Sequence, residues 1–444
     1  MSQFYPLAAA AITLFADGGA VSAPSPARSA PAVPERLRLD NGLTVIFGEH
    51  RAADVVAVQL WMRVGARDET DAESGLSHFV EHLFFKGTPT RGPGVIDRTI
   101  SGLGGEINAA TSQDFTYYHI VVPARHVETA LDVVADAAQG AAFDAGELDR
   151  ERLVVLEEIR RSRDNPSAHL WRVLARHHFA GHPYSRDVLG SPDIIQELLR
   201  ERIVEYYRRH YVPDNATVVV IGNVDRKRTL GHVRRAFAGW EPRPGPPSAI
   251  SRAADLSGLL RVAEPRPLQQ AYLGVAWRGP TAPQADVYAV DLLASILGGR
   301  RTSRLQQVLK EQRGLVSSIG SRFYAQRSAG TIAVTARTSA AQQQEVEDAL
   351  VAEIERLRTT PVGEGELARA LTATEAGYAF GHETAEGVAY SYGMAETVWT
   401  LEFELGYLDE TRKVTRGQVQ EAARRYLTPD RFTLAVLTPT NGHA

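Results

Sequence analysis

The sequence predicts an α+β fold of two similar tandem α/β-sandwich domains, and three observations carry that reading. One succession of strands and helices fills residues 36–240 and recurs in residues 260–444. A proline-rich stretch, Glu241–Pro247, lies within the connecting residues 241–259. With 444 residues and 44% hydrophobic content, the chain is long enough to bury two sizeable cores.

The first half opens with the strand segment RLRLDNGLTVI from residue 36 and closes with a strand at Thr217–Ile221. Between them, Leu76, Phe79, Val80, Leu83 and Phe84 recur at helix spacing, with Ser74 as the expected N-cap and Lys86–Gly87 as the close. Gly104 and Gly105 end a further helix, after which Ile107, Ala109 and Thr111, then Phe115–Val122, have the β-branched and aromatic character of strand. Residues 147–164 form an amphipathic helix with acids concentrated along it. In the second half, strands are expected at Gln270–Trp277, Thr331–Arg337 and Phe432–Leu437, and helices at Gln284–Leu297, Arg301–Glu311 and Ala340–Arg358.

The helix around residue 80 carries the most specific chemistry. His78, Glu81 and His82 form an HxxEH run, and residues four apart stack one turn above each other, so both imidazoles can face one cation with Glu81 beside them. That is a zinc-hydrolase arrangement, and a catalytic zinc needs a third protein ligand plus an open position. In the 147–164 helix, Glu151 and Glu158 share one face and Glu157 is turned away by roughly 100°. Spacing alone leaves two readings of that helix: a ligand face, or a solvated acidic face laced with Arg152, Arg160 and Arg161. After residue 260 no comparable cluster occurs, and the lone pair His382–Glu383 reads as a surface helix feature.

Composition narrows the function classes. A net charge of −4 with no basic stripe gives no electrostatic footprint for nucleic acid. Absence of cysteine excludes thiol catalysis and disulfides, so any zinc must be held by histidine and carboxylate. No run reaches the roughly 18 apolar residues of a membrane span. Residues 1–35 differ from the rest: Leu7–Ala16 is apolar, Val21–Ala23 resembles a cleavage site and Pro24–Pro34 is a linker. The expectation is export to a bacterial periplasm; no Lys or Arg precedes the apolar stretch and Asp17 closes it, so a cytoplasmic leader is the alternative.

Together with Phe84–Thr88 after the pentad and the LEEI run at 156–159, the sequence resembles the pitrilysin/insulinase family of inverted-motif zinc metallopeptidases. Within it the likeness is to the shorter branch that includes the mitochondrial processing peptidase β subunit and its bacterial relatives. The resemblance runs from about residue 36 through GGEINAATSQDFTYYHI at 104–120, HPYSRDVLG at 182–190 and VVVIGNVD at 218–225. It implies two similar domains enclosing a substrate cavity, with Zn2+ held by His78, His82 and Glu158, the last at the family spacing of 76 residues after the second histidine. It further implies Glu81 as the base for a metal-activated water and Glu151 as a supporting catalytic residue. Asn108 and Ala109 fall on an edge strand where an extended peptide adds as another strand.

The second half departs from the family pattern. Active relatives carry an arginine and, seven residues on, a tyrosine that bind the substrate carbonyl, whereas LKEQRGLVSSI at 309–319 places Lys310 and Ser317 there. Lysine keeps a charge without the planar fork, and serine cannot reach where a phenol does. The implied protein is a zinc endopeptidase for peptides or small unfolded proteins, acting as the zinc-bearing subunit beside a zinc-less homologous partner that supplies the missing pair. A self-sufficient homodimer using other second-half residues, such as Arg322 or Tyr324, and a nonenzymatic scaffold are the alternatives.

Overall fold

A computed structural model of the protein describes residues 33–247 and 251–440. The signal and cleavage-site reading, Leu7–Ala16 with Val21–Ala23, lies outside the described residues. Strands β1 (Glu35–Arg38), β2 (Thr44–Glu49), β3 (Val55–Met62), β4 (Glu106–Thr111), β5 (Thr116–Pro123) and β6 (Ala216–Gly222) form one sheet in the order β1-β2-β6-β3-β5-β4. Strands β7 (Leu260–Arg266), β8 (Ala271–Gly279), β9 (Ser318–Tyr324), β10 (Gly330–Thr338) and β11 (Thr433–Pro439) form the second, ordered β7-β11-β8-β10-β9.

Without β1 the two orders are the same. In each sheet the first strand of the half pairs in parallel with the last, β2 with β6 and β7 with β11, while every other neighbour is antiparallel. The expected duplication therefore holds at the level of strand pairing. Burial follows position: central β3 and β6 are buried almost residue for residue, so they read as continuous apolar runs, whereas β4 at the edge mixes exposed and half-buried positions.

The first-half helices are α1 (Leu76–Phe84), α2 (Val95–Gly102), α3 (Val127–Gly140), α4 (Ala145–Asp164), α5 (Pro166–His178), α6 (Pro192–Glu197), α7 (Arg200–His210) and α8 (Arg226–Ala236). Those of the second are α9 (Asp286–Ala294), α10 (Gln343–Thr359), α11 (Glu364–Gly381), α12 (Ala385–Val398), α13 (Leu401–Arg412) and α14 (Arg416–Tyr426). The expected helix at Gln284–Leu297 is α9 running on into a π-helical turn, Ser295–Gly299, and the one at Arg301–Glu311 is largely π-helical over Gln306–Gln312.

Two helices cross between the halves. Leu170 and Leu174 of α5 pack on Ala276, Ala435 and Leu437 in β8 and β11, while Val388, Ala389 and Tyr392 of α12 pack on Ala57, Trp61 and Val219 in β3 and β6. Since β3 and β6 are the counterparts of β8 and β11, each half covers the equivalent face of the other's sheet. Each half keeps a main core of its own, and α5 and α12 add smaller apolar clusters shared between the halves. Gly393 sets the closest approach of α12, because a Cβ there would lie 2.0 Å from Trp61 Nε1.

The turns joining β4 to β5 and β9 to β10 are also counterparts, and they meet. Asp114 in the first accepts hydrogen bonds from Arg67 Nη1 (3.0 Å), the Tyr184 hydroxyl (2.6 Å) and the backbone N–H of Arg327 in the second (3.2 Å). Arg67 Nη1 also donates to Ser328 Oγ at 3.0 Å, and the Ser328 N–H donates to the Tyr184 hydroxyl at 3.0 Å. Arg67 is 2% and Asp114 3% exposed, so this clasp is an ion pair removed from water with its hydrogen bonds made across the two halves.

Candidate metal centre

Helix α1 is held at its start by a carboxylate from outside the helix. Ser74 does not cap it; the N-cap is Gly75, with φ of 99°, and Glu69 accepts from the N–H groups of Gly75 and Ser77 at 2.8 Å each. Burial pushes the Glu69 carboxyl up to about 8 against those hydrogen bonds, so it serves as the acceptor for unpaired N–H groups at the start of the helix. Gly75 lies against Gly190 from the HPYSRDVLG stretch, with φ of 85°, and a Cβ on Gly190 would sit 2.4 Å from Gly75 Cα. Two backbones touch there, which explains both glycines.

Helices α1 and α4 then bring three donors together. His78 Nε2 and His82 Nε2 are 3.3 Å apart, and each lies 3.5 Å from Glu158 Oε2. A metal bound tetrahedrally at 2.0–2.1 Å separates its ligand atoms by about 3.4 Å, so the triangle has the edges such an ion requires. Burial depresses His78 to a pKa of about 3, which keeps its imidazole neutral and its lone pair available. Its Nδ1 is buried without a hydrogen-bond partner. This is the single His/Asp/Glu group with metal-ligand spacing among the described residues.

Neighbouring side chains fix the donors. His82 Nδ1 lies 2.9 Å from Glu151 Oε2, and Lys86 Nζ lies 2.7 Å from Glu151 Oε1, so Glu151 orients one imidazole and is itself held by an ammonium. The Thr111 hydroxyl donates to Glu81 Oε2 at 2.6 Å. Burial raises the Glu81 carboxyl, against the lowering effect of that hydrogen bond and of His82. Glu157 takes no part: its carboxylate is exposed and paired with Arg160 and Arg161. Lys86 and Thr111 were not singled out from sequence, although Lys86 follows His82 by four residues and Thr111 ends the alternation of Ile107 and Ala109, so both signals were present.

These electrostatics predict a proton linkage. Burial pulls His82 down, but the carboxylates of Glu151, Glu158 and Glu81 outweigh it and hold the metal-free ring up at about 9. A ligand histidine must be deprotonated, so zinc uptake at pH 7 should release about one proton and the affinity should rise with pH until about 9. The same raised value stabilises the metal-free fold below the unfolded pKa of about 6.5 and is lost as pH climbs through about 9. Calorimetric zinc titrations in buffers of different ionisation enthalpy measure the release, and none at pH 7 would contradict this account of His82.

Asn108 and Ala109 line the same cavity, of about 230 Å3, with His78, Glu81, His82 and Glu158. They lie on β4, which pairs with β5 on one side and forms the edge of the sheet. Lys310 and Ser317 are elsewhere. Lys310 is exposed on the π-helical segment, and Ser317 is exposed with its hydroxyl 3.3 Å from both Gln270 Oε1 and the Arg337 carbonyl. The structure therefore does not bring the expected carbonyl-binding positions to this chain's own metal cavity, whose described lining comes from the first half. Tyr324, an alternative for that role, packs on Trp171, with ring centroids 5.0 Å apart. His382 is no plain surface residue: its ring stacks on Tyr378 at 4.0 Å and its Nδ1 donates to the Tyr378 carbonyl at 2.8 Å.

Comparison with known proteins places this geometry. Residues 44–192 match the model for Insulinase (Peptidase family M16), and residues 198–374 match that for the Peptidase M16 inactive domain. A zinc protease of Streptomyces coelicolor is 30% identical over 411 residues, covering 91% of this chain and 89% of its own. The chain belongs to the M16 peptidase family. A zinc protease of Bacillus subtilis is 26% identical, with 91% and 98% covered. Among solved structures, a protease from Helicobacter pylori superposes with a TM-score of 0.86 at 24% identity, covering 91% of this chain and 99% of its own, which shows the shared fold. Zn2+ is the cofactor of this M16 protein, and the His78, His82 and Glu158 group has the donors and the spacing to hold it. The second half, matched in large part by the inactive-domain model, contains no metal-ligand group among its described residues.

Proposed function

We propose that this chain is a zinc endopeptidase that cleaves extended peptides or small unfolded proteins, with His78, His82 and Glu158 as metal ligands and Glu81 as the base. The observation that carries the reading is a triangle of two imidazoles and one carboxylate with a further carboxyl, Glu81, lining the same cavity beside a free sheet edge. Zn2+ when bound supplies a Lewis acid that lowers the pKa of a water and polarises the scissile carbonyl. Glu81 accepts that water's proton and returns it to the leaving amine; burial raises its carboxyl toward the range useful for such shuttling, and Thr111 fixes its orientation. Glu151, anchored by Lys86, keeps the His82 ring turned toward the other donors. The outer edge of β4 at Asn108 and Ala109 offers main-chain pairing, which accepts many sequences.

A donor for the developing oxyanion comes, in this reading, from a zinc-less homologous partner chain. Lys310 and Ser317 stand where relatives carry arginine and tyrosine, and neither lines the metal cavity of this chain. The purified single chain should therefore hydrolyse unstructured peptides weakly, and adding a zinc-less family member with the arginine/tyrosine pair should raise the rate by at least about 10², the scale of one oxyanion donor. Turnover by the lone chain at an ordinary rate of about 10 per second would remove the need for a partner and favour a self-sufficient homodimer. Zinc binding with no hydrolysis in either condition would favour a scaffold.

A further inference from the structure

A second cavity, of about 630 Å3, shares no lining residue with the metal cavity. It lies where the two halves and the connecting segment converge, with Arg63, Arg67, Arg186 and His210 from the first half, Gly245–Pro247 from the connection, and Arg327 from the β9–β10 turn. Its volume is in the range of small-ligand sites.

The lining carries four arginines and four acidic residues, but two of the arginines make no contact ion pair among the described residues. Of the carboxylates on its wall, Asp71 is paired with Arg186 and Asp214 with Arg38. Asp68 is engaged by Arg67 and the Gly65 N–H, and Glu69 by the Gly75 and Ser77 N–H groups. Arg67 is further neutralised by Asp114. Among those residues Arg63 makes no contact ion pair; it donates to the backbone carbonyl of Glu396 at 3.1 Å and feels the Glu396 and Asp214 carboxylates at longer range. The Arg327 side chain makes no hydrogen bond or contact ion pair among the described residues; it feels the repulsion of Arg67 and Arg63 and, against it, the attraction of the Asp114 and Asp68 carboxylates. Burial pulls both guanidinium groups below their ordinary pKa.

His210 also lines this cavity. His210 is 5% exposed, its Nε2 accepts from Arg209 Nε at 3.1 Å, and its Nδ1 has no partner. Since Nε2 is the acceptor, Nδ1 carries the proton of the neutral ring and is a buried donor left unpaired.

We propose that this cavity binds an oxyanion group of a small molecule, a phosphate or a carboxylate, between Arg63 and Arg327. Planar guanidinium forks match the oxygens of both groups, and two of them without a contact ion pair around one cavity favour an anion there. Glu69 belongs to the same wall and holds the first turn of α1, so an occupant contacts a residue that supports the metal helix.

The test uses the full zinc-loaded chain and two probes, inorganic phosphate and citrate, each compared with sodium chloride at equal ionic strength. Calorimetry and thermal midpoints should show saturable binding of at least one probe. Arg327→Gln and Arg63→Gln should each weaken that binding by about 10-fold or more, the scale of one charged hydrogen-bonding partner. Phosphate alone binding identifies a phosphoryl ligand, and citrate alone a carboxylate. Binding of neither probe, or affinities unchanged in both variants when their probe-free midpoints match the parent, overturns the proposal. Should a variant fail to fold, Arg327→Lys serves in its place, since it keeps the charge and removes the fork. Zinc content is measured alongside, so loss of anion binding with zinc retained is separable from failure of the peptidase reading.

Discussion

Replacing Glu81 with glutamine is expected to leave about one Zn2+ per chain in place and to lower peptide turnover by about 10²- to 10⁴-fold. Glu81 stands outside the donor triangle, lines the same cavity and has its orientation set by Thr111, so its loss removes proton transfer without removing a ligand. His82→Ala and Glu158→Gln act at the other level. Each deletes one vertex of a triangle whose edges are 3.3 to 3.5 Å, and most of the metal should be lost with it. Metal analysis beside single-turnover kinetics separates the two classes. Full zinc occupancy in Glu158→Gln would shift the third ligand to Glu151, because Glu157 is committed to Arg160 and Arg161 on the exposed face.

Asp114→Ala is expected to cost about 3–5 kcal/mol of stability, the scale of breaking a buried ion pair by removing one partner. Arg67 would stay buried with only Asp68, at 3.5 Å, left to balance its charge, the Tyr184 hydroxyl would lose its acceptor, and the Arg327 N–H would lose its bond across the halves. Typical domains are stable by about 5–15 kcal/mol, so this one change removes a large share. Urea unfolding followed by tryptophan fluorescence and by circular dichroism measures it. A loss below about 1 kcal/mol, with both probes coincident, would show that the clasp is not a determinant of stability.

Several parts of this protein were legible because the signal is local. The HxxEH spacing alone puts His78 and His82 on one helical face, and the apolar spacing from Leu76 to Phe84 alone makes that helix. Strands β3, β5, β6, β8, β10 and β11 show through continuous β-branched runs, since central strands are buried on both faces. The helices α11 to α14 were not read. Helix α12 lies between the first sheet and α13 and packs by small residues such as Ala389 and Gly393, without the one-sided stripe that reveals a surface helix. Strands β7 and β9 sit at the edges of their sheet, where the apolar pattern is weakest.

By itself the sequence determined the duplicated α+β class, the two histidines with their glutamate, and, through family spacing, Glu158 as the third ligand candidate. Tertiary structure alone decided the capping of the metal helix by Glu69 instead of Ser74, the Lys86–Glu151–His82 and Thr111–Glu81 contacts, and the placement of Lys310 and Ser317 away from the metal. It also decided the exchange of α5 and α12 between the sheets and the meeting of the two equivalent turns at Asp114. The physical reason is range. Helix periodicity relates residues within about two turns and is written in the local sequence. A hydrogen bond between residues 30 or 69 positions apart, as in Thr111–Glu81 or Glu151–His82, depends on how separate elements dock, and docking is fixed by packing of the whole chain.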